Sequence, residues 1–168
     1  MMPEMGMGVS PDVTRYNILL DGFGRNLQFY KCFQLLEEME TNGLIPNAIS
    51  SGSLVNHLCK DGRLLEAQVI FIDMTSRGVL PNTRIYNMLI NGYCNQGNIQ
   101  DAYKMVDKMS SDNVVPTFYT YNTLINGLCK KGKQRKVFRV IREDESIRNK
   151  TYYQHVSSAN YRMQKKRV

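Results

Sequence analysis

The chain has 168 residues, a hydrophobic fraction of 42% and a formal net charge of +7. This is enough apolar content for one compact domain or a short stacked array, and no apolar run reaches the roughly 18 residues that a membrane-spanning helix needs. The charge is unevenly placed: residues 130–168 hold 13 Lys or Arg against 3 Asp or Glu, whereas residues 1–129 hold 9 against 12, so the basic character belongs to the tail and is weak evidence that the body binds nucleic acid.

In chain order, the opening Met1-Met-Pro-Glu-Met-Gly-Met-Gly8 has neither a basic stretch nor a long apolar one. It is therefore not a secretory signal or an Arg-rich transit peptide. Gly8 aligns with Gly43 and Gly78, and Val9 with Leu44, Val79 and Val114. Residues 1–12 thus read as the end of an incomplete repeat, and the chain is expected to begin part-way through a helix.

The segment Tyr16-Asn-Ile-Leu-Leu-Asp-Gly-Phe23 is the first of a series. It returns as Ser51-Gly-Ser-Leu-Val-Asn-His-Leu-Cys-Lys-Asp-Gly62, then as Tyr86-Asn-Met-Leu-Ile-Asn-Gly-Tyr-Cys-Asn-Gln-Gly97 and Tyr121-Asn-Thr-Leu-Ile-Asn-Gly-Leu-Cys-Lys-Lys-Gly132. The period is 35 residues, and Pro11, Pro46, Pro81 and Pro116 keep it. A fixed period of this size marks a stacked repeat array.

Each repeat reads as two helices. In the third, Tyr86, Leu89, Ile90 and Tyr93 fall at the spacing of one buried helical face. Gly97 stops that helix, because a glycine takes the positive φ of a helix end without steric cost, and Asn98 suits the cap of the next. The second helix buries Ile99, Ala102, Val106 and Met109, and Asn113 and Pro116 end it. Ala67 and Ala102 occupy equivalent places, where a small side chain permits a close helix crossing. The pattern predicts an all-α fold, an α-solenoid of antiparallel helix-turn-helix repeats over residues 13–47, 48–82 and 83–117, with a partial fourth over 118–142 and breaks near Gly62, Gly97 and Gly132. In the fourth, Val137 replaces the alanine and Asp144 falls where Met39, Met74 and Met109 stand. Residues 143–168 read as a divergent basic tail, frayed or disordered.

The chain has 4 cysteines, three of which, Cys59, Cys94 and Cys129, recur in register with no Cys-x-x-Cys and only two histidines, His57 and His155. They are expected to be small structural side chains on a helix rather than metal ligands or disulfide partners, which suits a reducing compartment. There is no phosphate-binding glycine loop and no catalytic triad pattern. No cofactor, metal or small-molecule substrate is expected.

The 35-residue period, Pro followed by Asp or Asn, and Tyr-Asn-x-Leu-Ile-Asn-Gly-x-Cys-x-x-Gly resemble the pentatricopeptide repeat family, in particular the P-class repeats of plant fertility-restorer-like proteins. The resemblance covers residues 9–142. A tetratricopeptide array would have a 34-residue period and a Trp signature, and this chain has no Trp.

The resemblance implies single-stranded RNA binding, one base per repeat, in organelle RNA processing, stability or translation. It implies a mitochondrial location, with the chloroplast as the alternative. In the family one base-reading residue follows the Tyr and the other follows the Pro. Carried onto this chain, the pairs are Asn17 with Asn47, Gly52 with Asn82 and Asn87 with Thr117, and Asn122 belongs to the fourth repeat. Asp12 is the partner of a repeat that is not present. The residues three places before each reader, Thr14, Ile49, Arg84 and Tyr119, are expected to lie beside the base. Arg84 and Tyr119 depart from the apolar residues usual there, although a guanidinium or a phenol also stacks on a base.

A carboxamide both donates and accepts, so asparagine suits the Watson–Crick edge. The resemblance further implies pyrimidines at Asn17/Asn47, Asn87/Thr117 and Asn122, with a weakly specified base at Gly52/Asn82. Asparagine near helix starts also serves as a cap with no other role. The other readings of the same repeats are a protein–protein interaction scaffold and a non-functional truncated repeat protein. Some family members carry a C-terminal zinc deaminase, but His57 and His155 lack its His-x-Glu and no Pro-Cys-x-x-Cys occurs. The chain is therefore not expected to be an enzyme. Its short array predicts a fragment or truncated member.

Overall fold

The computed structural model describes residues 12–130. Among these residues there are seven helices and no strand: α1 (Val13–Arg25), α2 (Phe29–Thr41), α3 (Ala48–Asp61), α4 (Leu64–Ser76), α5 (Thr83–Gln96), α6 (Ile99–Ser111) and α7 (Phe118–Lys130). The incomplete repeat at the start, Gly132, Val137 and the basic tail lie outside the described residues. None of the helices is long and apolar enough to cross a membrane. By contacts the chain divides into two compact parts, the first ending at Leu89 and the second beginning at Ile90, within α5.

In the first part α1 packs on α2 and on α3, and α3 packs on α4. The periodic apolar positions form this core: Tyr16, Leu20, Phe29, Met39, Leu54, Leu58, Ala67, Phe71, Met74 and Tyr86 are buried. Phe71 meets Tyr86 edge-on, with ring centroids 5.3 Å apart. Tyr16 keeps its hydroxyl satisfied, donating to Glu38 at 2.8 Å and accepting from the Asn42 amide at 2.9 Å. In the second part α6 packs on α7, with Ile99, Ala102, Val106, Met109, Leu124 and Leu128 buried.

Caps place the helix starts. Asp12 accepts from the Arg15 N–H at 2.9 Å at the head of α1. Asn47 and Ser50 form a reciprocal capping box at the head of α3. The helix ends at 27, 62 and 97 share one register, and all three residues have positive φ: Leu27 at 58°, Gly62 at 82° and Gly97 at 78°. Glycine takes this conformation freely, whereas leucine does not.

Candidate functional site

Five of the eleven sequence-predicted residues line one cleft in the first compact part. Asn17 from α1, Ile49 and Gly52 from α3, Asn82 from the loop between α4 and α5, and Arg84 from α5 surround a volume of about 270 Å³. Asp21, Ala48, Ser53, Asn56, Ile85 and Met88 complete its wall. Ile49 is 67% exposed, an apolar surface available to a planar ligand. A second cleft, of about 620 Å³, lies within the second part and holds Tyr119 and Asn122 together with Asn91, Asn95, Asn126 and Lys130. The remaining four predicted residues, Thr14, Asn47, Asn87 and Thr117, line neither cleft.

Several predicted residues have structural duties. Asn47 accepts from the Ile49 and Ser50 N–H groups at 2.9 and 3.1 Å, and Asn82 accepts from the Ile85 N–H at 3.1 Å. Both act as helix caps. Asn17 accepts a hydrogen bond from the Ser50 hydroxyl at 2.6 Å. Asn87 is buried, while Thr117 is exposed and its N–H donates to Thr120 Oγ1 at 3.0 Å. Gly52 is buried, and a Cβ added there would meet Ile85 Cγ1 at 3.2 Å, so α5 fills the space of the missing side chain.

The charged groups of the first cleft are Arg84 and Asp21. Asp21 accepts from His57 Nε2 at 3.0 Å and from Arg25 at 2.7 Å, and Ser53 donates to it at 3.4 Å. The hydrogen bond from His57, with Arg25 beside it, holds its carboxyl below the usual carboxylate range despite partial burial. The sequence reading did not select Asp21, Asn56, Asn91 and Asn126, yet these share one register four places after the readers. Their common spacing was the available signal, because i and i+4 lie on one helix face.

Cys94 is buried, while Cys59 and Cys129 are half-buried. Burial pushes the Cys59 thiol up to about 12 and the Cys94 thiol to about 11. No cluster of three or more metal-binding side chains occurs among the described residues.

Models of the PPR repeat family match residues 11–60 and 81–130, and a PPR repeat model matches residues 49–79 and 119–143. The chain belongs to the PPR repeat family. It is 33% identical over 61 residues to the chloroplastic pentatricopeptide repeat-containing protein 10 of Zea mays, covering 36% of this chain and 8% of that protein. The crystal structure of PPR10 from maize superposes with a TM-score of 0.77 at 21% identity, over 92% of this chain and 22% of that one. A PPR10 structure in complex with an 18-nt psaJ RNA element gives a TM-score of 0.74 at 23% identity, over 80% and 20%. The PPR domain of Arabidopsis thaliana protein-only RNase P 1, in complex with tRNA, gives 0.71 at 19% identity, over 92% and 83%. These likenesses establish the fold as an all-α helical-repeat solenoid. This PPR chain spans about a fifth of the maize structures it matches.

Proposed function

We infer that this PPR chain binds single-stranded RNA through its repeats, taking bases in turn along the helices that begin each one. The observation that carries this reading is the first cleft, where Asn17, Gly52, Asn82, Ile49 and Arg84 come together from three helices and a loop. A cleft whose wall includes amides, one exposed apolar side chain, one guanidinium and the ion-paired Asp21 carboxylate suits an unpaired base, which has a flat face and a polar edge. The RNA complexes of PPR10 and of the RNase P domain support the same reading.

The reading assigns base contact to Asn17, Asn87 and Asn122 on the helices and to Asn47, Asn82 and Thr117 after the prolines. Gly52 marks the weak reader, and Thr14, Ile49, Arg84 and Tyr119 flank the bases. The three full repeats are assigned to 13–47, 48–82 and 83–117. The chain is a binding module rather than an enzyme. Its place is an organelle: the fertility-restorer resemblance favours the mitochondrion, and the chloroplastic relative favours the chloroplast.

The test is fluorescence anisotropy of the whole chain with short oligo(C/U) and oligo(A) RNAs. Pyrimidine RNA is expected to bind more tightly, and the N17A/N87A variant to lose that preference. Equal binding of both RNAs, or a preference for A, overturns the assignment.

One observation favours a second reading, a protein-binding scaffold. Leu65, Val69 and Ile72 on α4 are more than half exposed and form an apolar stripe at helical spacing.

A further inference from the structure

Ser50 stands in the first turn of α3 and is fully buried, at 0% exposure. Its Oγ lies 2.6 Å from Asn17 Oδ1 and 3.3 Å from both the backbone N and the Oδ1 of Asn47. One hydroxyl therefore touches both residues assigned to read a base in the first repeat. A separation of 2.6 Å is short for an N–H···O bond and ordinary for O–H···O. The hydroxyl is thus the donor and the Asn17 carbonyl the acceptor. Asn47 Oδ1 is already engaged by two backbone N–H groups, and its contact with Ser50 is the longer one. The single hydroxyl proton goes to Asn17.

The consequence is directional. A free carboxamide can turn to offer a base either its oxygen or its NH₂. With its oxygen held by a buried hydroxyl, Asn17 offers the cleft its NH₂.

We propose that Ser50 is a positioning residue for base recognition: by holding the Asn17 oxygen it makes the first repeat select a base with an acceptor at the centre of its Watson–Crick edge. Among pyrimidines that base is cytosine, whose N3 accepts, rather than uracil, whose N3–H donates. The inference rests on the RNA-binding reading above.

The other repeats follow the same logic. In the second, the register of Asn17 holds Gly52 and that of Ser50 holds Ile85. There is no amide to hold, and Ile85 carbons lie 3.2 and 3.3 Å from where a Gly52 Cβ would be. For the third, the register of Asn17 holds Asn87 and that of Ser50 holds Thr120, also fully buried. Its hydroxyl meets Thr117 as Ser50 meets Asn47, accepting from the Thr117 N–H at 3.0 Å and lying 3.3 Å from Thr117 Oγ1.

The experiment titrates the whole chain and its S50A and S50T variants against short labelled oligo(C) and oligo(U) RNAs at one salt concentration, with thermal midpoints measured alongside. The wild-type chain is expected to favour oligo(C). S50A should lower the C-over-U ratio by about three- to tenfold, the worth of one hydrogen bond, while still binding both RNAs, and S50T should keep the wild-type ratio. An unchanged ratio in S50A, a fall in S50T equal to that in S50A, or a wild-type chain without C-over-U discrimination overturns the proposal alone. A wild-type chain that binds neither RNA removes the RNA-binding reading and the proposal with it. A second measurement needs no variant: in ¹⁵N-labelled wild-type protein, the Asn17 side-chain NH₂ signals should shift on adding oligo(C) and not oligo(U). Equal shifts with both, or none with either, overturn it.

Discussion

A Cβ placed on Gly24 would lie 2.5 Å from Cδ2 of His57, closer than two carbons can approach. Gly24 stands in the register of Cys59, Cys94 and Cys129, and His57 in that of Gly22, Gly92 and Gly127. In the second compact part the sizes are reversed, and a Cβ on Gly127 would meet Cys94 Sγ at 2.7 Å. At each of these two crossings one side must be glycine. The first crossing places its bulk on α3, where the imidazole also reaches Asp21.

G24C is therefore expected to destabilise the chain by about 1–3 kcal/mol through overpacking. H57G should relieve part of that loss in the double variant, even though it gives up the bond to Asp21. Urea unfolding of wild type, both single variants and the double forms a double-mutant cycle. A coupling on the order of 1 kcal/mol is expected for side chains in direct contact. Additive losses would show that the contact does not limit packing there.

Leu27 ends α1 at φ 58° and is more than half exposed. The same register holds Gly62 and Gly97. The left-handed conformation costs a residue with a Cβ about 1–2 kcal/mol, and the greater freedom of glycine in the unfolded chain offsets part of any gain. L27G is expected to raise the unfolding free energy, by about 0.5–1 kcal/mol. A lower urea midpoint in L27G would show that Leu27 makes contacts outweighing its strain.

Asp21 gives a pH prediction. The hydrogen bond from His57 and the neighbouring Arg25 hold its folded pKa below the ordinary carboxylate value. Its stabilising contribution is therefore complete above the unfolded pKa and is lost as pH falls through the folded one. D21N should cost stability at about pH 7, and the cost should be smaller at about pH 2, where the carboxyl gains its proton. Unfolding free energies of the two proteins that differ equally at both pH values would contradict this.

The register made most of the fold legible. Tyr86, Leu89, Ile90 and Tyr93 are buried as their spacing implied, because a side chain repeated at one helical face has one place to go. Glycine stops at 62 and 97 were readable for the same reason. Leu27 was not, since the strain at that position belongs to the backbone and the residue there gives no sign of it. Nor could the sequence show that Ser50 holds Asn17. That bond joins residues 33 positions apart in the chain and depends on how α1 lies against α3. The clefts were legible in part: reader positions could be named from the family resemblance, but not which of them also cap helices, as Asn47 and Asn82 do.

The second repeat offers a constructive test of the arrangement in the first. Gly52 has no side chain to present, and Ile85 fills the space in front of it. G52N alone should clash with Ile85 and cost about 1–3 kcal/mol. I85T alone removes buried apolar volume and buries a hydroxyl without a matching amide, so it should cost about 1–2 kcal/mol. Together they place an asparagine beside a buried hydroxyl, as at Asn17 and Ser50. The double variant is then expected to be more stable than the sum of the single losses predicts, by on the order of 1 kcal/mol. It should also bind oligo(C) more tightly than wild type, by about three- to tenfold for one added hydrogen bond. G52N/I85T with additive stability losses would show that the new pair does not form. Favourable coupling without gain in oligo(C) affinity would show that the pair forms but does not face the RNA, and would remove the register of Gly52 from the set of base-reading positions.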